Sequence, residues 1–209
     1  LNQPLIGDVS TNGTVQAYDA SLVLQAAISA ITLNPAQTLA ADASGDGSIT
    51  AYDATLILEY VAGINSNMPG SLKAPRRIDP SLAVGSGEIT YENDLLLPLA
   101  LKDIPSSVGV DMVLAFNPTL LQVMEILPAI NTGFMQATRI DNENGRIYLA
   151  AASTDGKAGD NWNMVRFRVS ENVKADFQTN ISAELFRVNE KDETSAATAG
   201  TVIFRSPTG

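Results

Sequence analysis

The chain has 209 residues, of which 45% are hydrophobic and 17% charged, with a net charge of −10. That is enough apolar material for a packed core and excludes wholesale disorder. There is no cysteine and no histidine, which excludes disulfides, thiolate and Ser-His-Asp catalysis, Cys/His zinc sites and haem ligation. Any metal must be held by oxygen, so it is expected to be a hard cation such as Ca²⁺ or Mg²⁺. The acidic balance speaks against nucleic acid as a partner, and no run of about 18 apolar residues is present to span a membrane. The sequence opens on Leu1 rather than Met, as expected of a piece of a longer protein.

Charge and repetition divide the chain. Residues 1–72 hold six acids and no Lys or Arg, a net of −6, while residues 73–209 carry 17 acids and 13 bases. Within the first part, residues 8–24 (DVSTNGTVQAYDASLVL) align with residues 42–58 (DASGDGSITAYDATLIL) at an offset of 34, with nine of 17 positions identical. Each repeat reads as a polar loop followed by a helix, expected over 17–30 and 51–62, with Gly63 as a stop. Between them, Asn34-Pro35-Ala36-Gln37 has the pattern of a helix start, with Asn34 as N-cap and Gln37 reaching back. Residues 1–64 are therefore expected to form a small three-helix module.

Residues 65–87 are rich in proline and glycine and lack periodicity, which predicts a linker with a coil reach of roughly 25–30 Å. From residue 88 the pattern changes to short β-like runs at 95–101, 108–116, 121–127, 134–140, 146–152, 163–169, 180–188 and 201–205. Turn signals separate them at 103–107, 141–145 and 155–160. Eight short strands without helical periodicity predict an all-β sandwich or jelly roll over 88–209. Trp162, the one tryptophan, sits in a polar loop context and is either a plug at the edge of the core or an exposed ring for a sugar or an interface.

The loops of the repeats carry the chemistry. Oxygen donors fall at positions 1, 3, 5, 9 and 12 of a 12-residue loop: Asp8, Ser10, Asn12, Gln16 and Asp19 in the first, Asp42, Ser44, Asp46, Thr50 and Asp53 in the second. Position 6 is glycine in both (Gly13, Gly47), and position 7 (Thr14, Ser48) offers its carbonyl. This is the spacing of an EF-hand-type Ca²⁺ loop, in which alternate residues of a tight curl face one ion. Two ions are expected, one per repeat. The second loop has three carboxylates to the first's two and is expected to bind more tightly.

On these residues the first module resembles a dockerin, over about residues 6–64. The resemblance implies a cohesin-type partner, contacted through loop positions 10 and 11, here Ala17-Tyr18 and Ala51-Tyr52. Later helix positions that are often basic in the family hold Gln25 and Glu59. Two nearly identical repeats would also let either helix face one partner site. The β region resembles a cohesin through Gly109-Val110-Asp111, the strand ending at Phe116-Asn117-Pro118, and the run Gly145 to Ala152 that ends in small residues. That resemblance implies a dockerin-type partner, with Asp111 on the binding sheet; the bland alternative for Asp111 is an outward polar residue on an alternating strand. A second acidic contact of cohesins falls near Ala152-Ser153, which carries no acid.

The combined expectation is a non-catalytic, Ca²⁺-dependent adaptor of an extracellular, cellulosome-like or scaffoldin-like assembly for polysaccharide degradation. Self-association of the two halves, in cis or in trans, is open to it. A carbohydrate-binding accessory module is the second reading. A two-carboxylate glycosidase is the third, disfavoured because no convergent acidic pair can be placed.

Overall fold

The computed structural model describes residues 4–68, 79–90, 93–128, 130, 132–157 and 159–206. The first module contains three helices, α1 (Ala17–Ala27), α2 (Pro35–Ala41) and α3 (Ala51–Val61). Alanine and leucine favour these helices intrinsically, and their ends are fixed by specific groups. Asn34 accepts N–H bonds from Ala36 and Gln37, while Gln37 accepts from the Asn34 N–H, the expected reciprocal cap. Gly63, at φ +70°, closes α3 with Gly63 N–H donating to the Tyr60 carbonyl and Ile64 N–H to the Glu59 carbonyl. The matching residue of the first repeat is Ser29, also left-handed at φ +56°, so α1 ends at Ala27 and not at residue 30.

The β region is a two-sheet sandwich. One sheet has the order β11-β1-β3-β8-β5 and the other β2-β12-β9-β4-β7-β6, with β10 pairing β9. The eight expected strands are β3 (Leu95–Lys102), β4 (Val108–Ala115), β5 (Leu121–Pro128), β6 (Met135–Asp141), β7 (Arg146–Ser153), β8 (Gly159–Val169), β9 (Phe177–Val188) and β12 (Gly200–Phe204). Four further short strands are β1 (Ser81–Val84), β2 (Gly87–Ile89), β10 (Lys191–Asp192) and β11 (Ala197–Thr198). β1 lies inside the segment expected to be linker, so the sandwich begins before residue 88. Its length of four residues is too short to show alternation amid glycine and proline. Residues 69–78 of that segment lie outside the described residues.

Alternation along β4 and β7 explains both faces of the second sheet. Val110, Met112 and Leu114 of β4 and Ile147, Leu149 and Ala151 of β7 point into the sandwich core. Trp162, Phe167, Phe186 and Phe204 are among its largest fully buried side chains. Trp162 lies on β8, 2% exposed, edge-on to Phe134 at 5.4 Å. It is a core plug and has no free face to stack on a sugar.

The outer face of the same sheet is also covered. Ala150 and Ala152 belong to the hydrophobic cluster of the helical module, together with Val23, Leu24, Tyr52, Leu56 and Ile57. Helix α3 lies on β4 and β7, and α1 on β6 and β7. The two modules thus share one continuous apolar layer.

Candidate functional site

The two loops have one hydrogen-bond plan. In the first, Asp8 accepts the N–H groups of Asn12 (3.0 Å) and Gly13 (2.8 Å), and Asp19 accepts those of Ser10 (2.8 Å) and Gln16 (2.8 Å). In the second, Asp42 accepts from Asp46 (3.1 Å) and Gly47 (2.9 Å), and Asp53 from Ser44 (2.9 Å) and Thr50 (2.8 Å). Position 6 of each takes a backbone only glycine adopts readily, φ +90° at Gly13 and +88° at Gly47. Asn12 and Asp46 each accept the N–H two residues on, from Thr14 and Ser48. The two loops are therefore wound alike.

The donor set fits a hard cation. Asp19 and Asp53 are fully buried, and residues 1–72 hold no Lys or Arg to pair with them. A buried carboxylate without a positive partner is costly, and burial pushes the Asp53 carboxyl above its ordinary range despite the Ser44 and Thr50 donors. Among the described residues, no group of three or more acidic side chains is placed so as to hold a metal ion by itself. The carboxylates are turned onto backbone N–H groups, and an ion held by oxygen donors would supply the missing charge.

The module interface is built at the start of α3. Ala51 N–H, one of the unsatisfied donors of a helix N-terminus, is shared by both carboxylate oxygens of Asp111 at 3.1 and 3.3 Å. Asp111 is 9% exposed, beside Arg187 in register on β9. Burial pushes its carboxyl up to about 6, against the lowering effects of Ala51 N–H and Arg187. Next to it, Gly109 is a notch: a Cβ there would lie 2.4 Å from the Tyr52 nitrogen and 2.5 Å from the Ala51 carbonyl carbon. Gly109 pairs with Ala152 and Asp111 with Ala150 on β7, so the helix meets a floor of very small residues.

Two residues outside the expected set complete the contact. Arg139 on β6 donates from Nε to the Ile28 carbonyl at the end of α1 (2.9 Å), its guanidinium 3.7 Å over the Tyr148 ring. A cation at a helix C-terminus is favourable. Glu190, in the turn between β9 and β10, reaches the second loop, where the Thr50 hydroxyl lies 3.5 Å from its carboxylate. Burial and the neighbouring Asp46 and Asp53 push its carboxyl up to about 7. Nothing local in the sequence marks either residue, since Arg139 on β6 and Glu190 in the β9–β10 turn are both remote in sequence from the segments they meet.

Of the expected partner contacts, Ala51, Tyr52 and Asp111 come together here. Ala17 and Tyr18, their counterparts in the first repeat, are exposed, Tyr18 by 59%. Gln25 donates to the Ser21 carbonyl of its own helix, and Glu59 is buried on α3.

Residues 6–62 match the family model of the dockerin type I domain. The remainder is similar in fold to cohesins. One is the third ScaC cohesin of Acetivibrio cellulolyticus, solved in complex with the ScaB dockerin; it is 17% identical, covering 61% of this chain and 99% of that one, at a TM-score of 0.51. Another is a non-cellulosomal cohesin from the hyperthermophilic archaeon Archaeoglobus fulgidus, also 17% identical, covering 61% and 92%, at 0.51. No curated protein matches the chain. The chain thus joins a segment that matches the dockerin type I model to a sandwich with the fold of cohesins.

Proposed function

We propose that this chain is a Ca²⁺-dependent adaptor whose dockerin module docks on its own cohesin-like sheet. The contact that carries this reading is the α3 N-terminus seated on Gly109 with Ala51 N–H on Asp111. Asp111 and Gly109 belong to the strand that resembles the dockerin-binding strand of cohesins. Calcium has a direct electrostatic part. The dockerin region carries −6 and the rest of the chain −4, so the modules repel at long range. Two Ca²⁺ ions bring the dockerin region to −2. The donors expected to hold them are Asp8, Ser10, Asn12, Thr14, Gln16 and Asp19 in one loop, and Asp42, Ser44, Asp46, Ser48, Thr50 and Asp53 in the other.

The same surfaces can serve partners on other proteins, a cohesin for the dockerin and a dockerin for the sandwich, in an extracellular assembly of the polysaccharide-degrading kind. Oxygen-only sites and the lack of cysteine suit an environment rich in Ca²⁺. The test uses the whole chain in Ca²⁺ and in EDTA. Amide exchange at Ala51 reports docking, and light scattering across a concentration series reports mass. The expected result is a monomer with Ala51 protected in Ca²⁺ and released in EDTA. A mass that grows with concentration would instead show docking in trans, and an unprotected Ala51 in Ca²⁺ would remove the reading.

A further inference from the structure

We propose that Glu190 of the sandwich is a donor to the second calcium site, so that this ion is held jointly by the two modules. The inference rests on the calcium reading of the loops and goes beyond it, because a dockerin loop carries its own complete donor set. Three observations place Glu190 there. Its carboxylate lies 3.5 Å from the hydroxyl of Thr50, position 9 of the second loop. Asp46 and Asp53, at positions 5 and 12, are close enough for their charges to act on it. Its backbone is held left-handed, at φ +66°, after Asn189 at +47°, in a two-residue hairpin between Val188 and Lys191. Glycine is the usual residue at that second turn position, and glutamate there costs conformational energy.

The turn is fixed to the docking strand. Asn189 accepts the Gly109 N–H at 2.7 Å and returns its own N–H to the Gly109 carbonyl at 2.9 Å. The hairpin that carries Glu190 and the notch that receives α3 are therefore one rigid unit. When α3 seats on Gly109, Glu190 is delivered to the loop.

A further carboxylate brought beside Asp46 and Asp53 has opposite consequences in the two metal states. Without the ion, like charges are pressed together at a partly buried site and oppose docking. With the ion, the added carboxylate strengthens its coordination. By linkage, docking then tightens Ca²⁺ at this site by the same factor that Ca²⁺ tightens docking. Glu190 makes the contact a sign-changing switch rather than a surface that calcium merely stiffens. The first loop receives no such residue among the described contacts.

The whole chain is titrated with Ca²⁺ by calorimetry, as wild type, Glu190→Gln and Glu190→Gly, with Ala51 amide exchange followed in parallel. Glycine relieves the turn, so it separates a structural role from a ligand role. The expected result is that both variants weaken one of the two Ca²⁺ sites about tenfold, the scale seen when a metal site loses an outlying partner. Both should also raise the docked share in EDTA and lower it at limiting Ca²⁺. Two unchanged Ca²⁺ affinities, or a Glu190→Gly chain that docks better in both conditions without losing affinity, would overturn the proposal while leaving the calcium loops in place. A wild-type chain that takes up no Ca²⁺ would overturn both.

Discussion

Residues 16–18 and 50–52 occupy the same three positions of two nearly identical repeats, yet Gln16, Ala17 and Tyr18 face solvent while Thr50, Ala51 and Tyr52 are buried. Their loops share one hydrogen-bond plan and their helices the same length. The difference is made elsewhere, by Gly109, Asp111 and the Asn189-Glu190 turn, which engage only the second repeat. Sequence similarity between repeats therefore specifies a shared local fold, and the partner surface decides which copy is used.

The comparison can be broken at the tyrosines first. Tyr52→Ala should lower stability by about 3 kcal/mol, as for other buried aromatic truncations, while Tyr18→Ala should stay within about 0.5 kcal/mol. Paired thermal unfolding curves in Ca²⁺ check this, and equal shifts would mean the two repeats are interchangeable on the sheet. Gly109→Val should cost docking about 2 kcal/mol, because the neighbours that must move are backbone atoms of Ala51 and Tyr52. Ala51 amide exchange should become fast, with the exchange of core amides in β4 and β9 unchanged.

The carboxylates sharpen the contrast further. Asp53→Asn should release the second ion and weaken the α3 cap by about 1–2 kcal/mol, opening the docked form. Asp19→Asn should also release one ion but leave docking in place, a split that Ca²⁺ calorimetry and Ala51 exchange would resolve together. A separate effect is pH dependence through Asp111. Docking raises its carboxyl from the ordinary range to about 6, so the docked form holds the proton more tightly than the open one. This contribution is present in full below about pH 4 and is lost as pH rises through about 6, a change of up to about a hundredfold in the docked share. It is measured in EDTA, with Arg187 and Asp53 as the facing charges, and Asp111→Asn should flatten it.

Much of this was legible in the residues. The 12-residue spacing locates both loops, and period-two alternation locates eight strands within a few positions. The dockerin and cohesin resemblances also placed Ala51, Tyr52 and Asp111 among the contacts. Other parts left no periodic mark. Strands β1, β2, β10 and β11 have two to four residues each, too few for alternation to show. Ala150 and Ala152 look like ordinary strand positions, because smallness is a signal only once the opposing surface is known. Arg139 and Glu190 carry no motif, and their roles come from pairing between distant segments. The sequence context of Trp162 pointed to a loop, but β8 extends back to Gly159 and carries the ring inside.

The notch at Gly109 has a consequence for how such pairs could diversify. Surfaces that meet through long side chains tolerate change by degrees, since other rotamers absorb it. Here the opposing atoms are main chain, and a single added methyl group on the sandwich acts almost as a yes-or-no answer. Sandwiches that differ only at this position could be addressed separately by helices that start with a deeper or shallower step, so that a set of otherwise similar modules stays mutually exclusive without any new attractive contact.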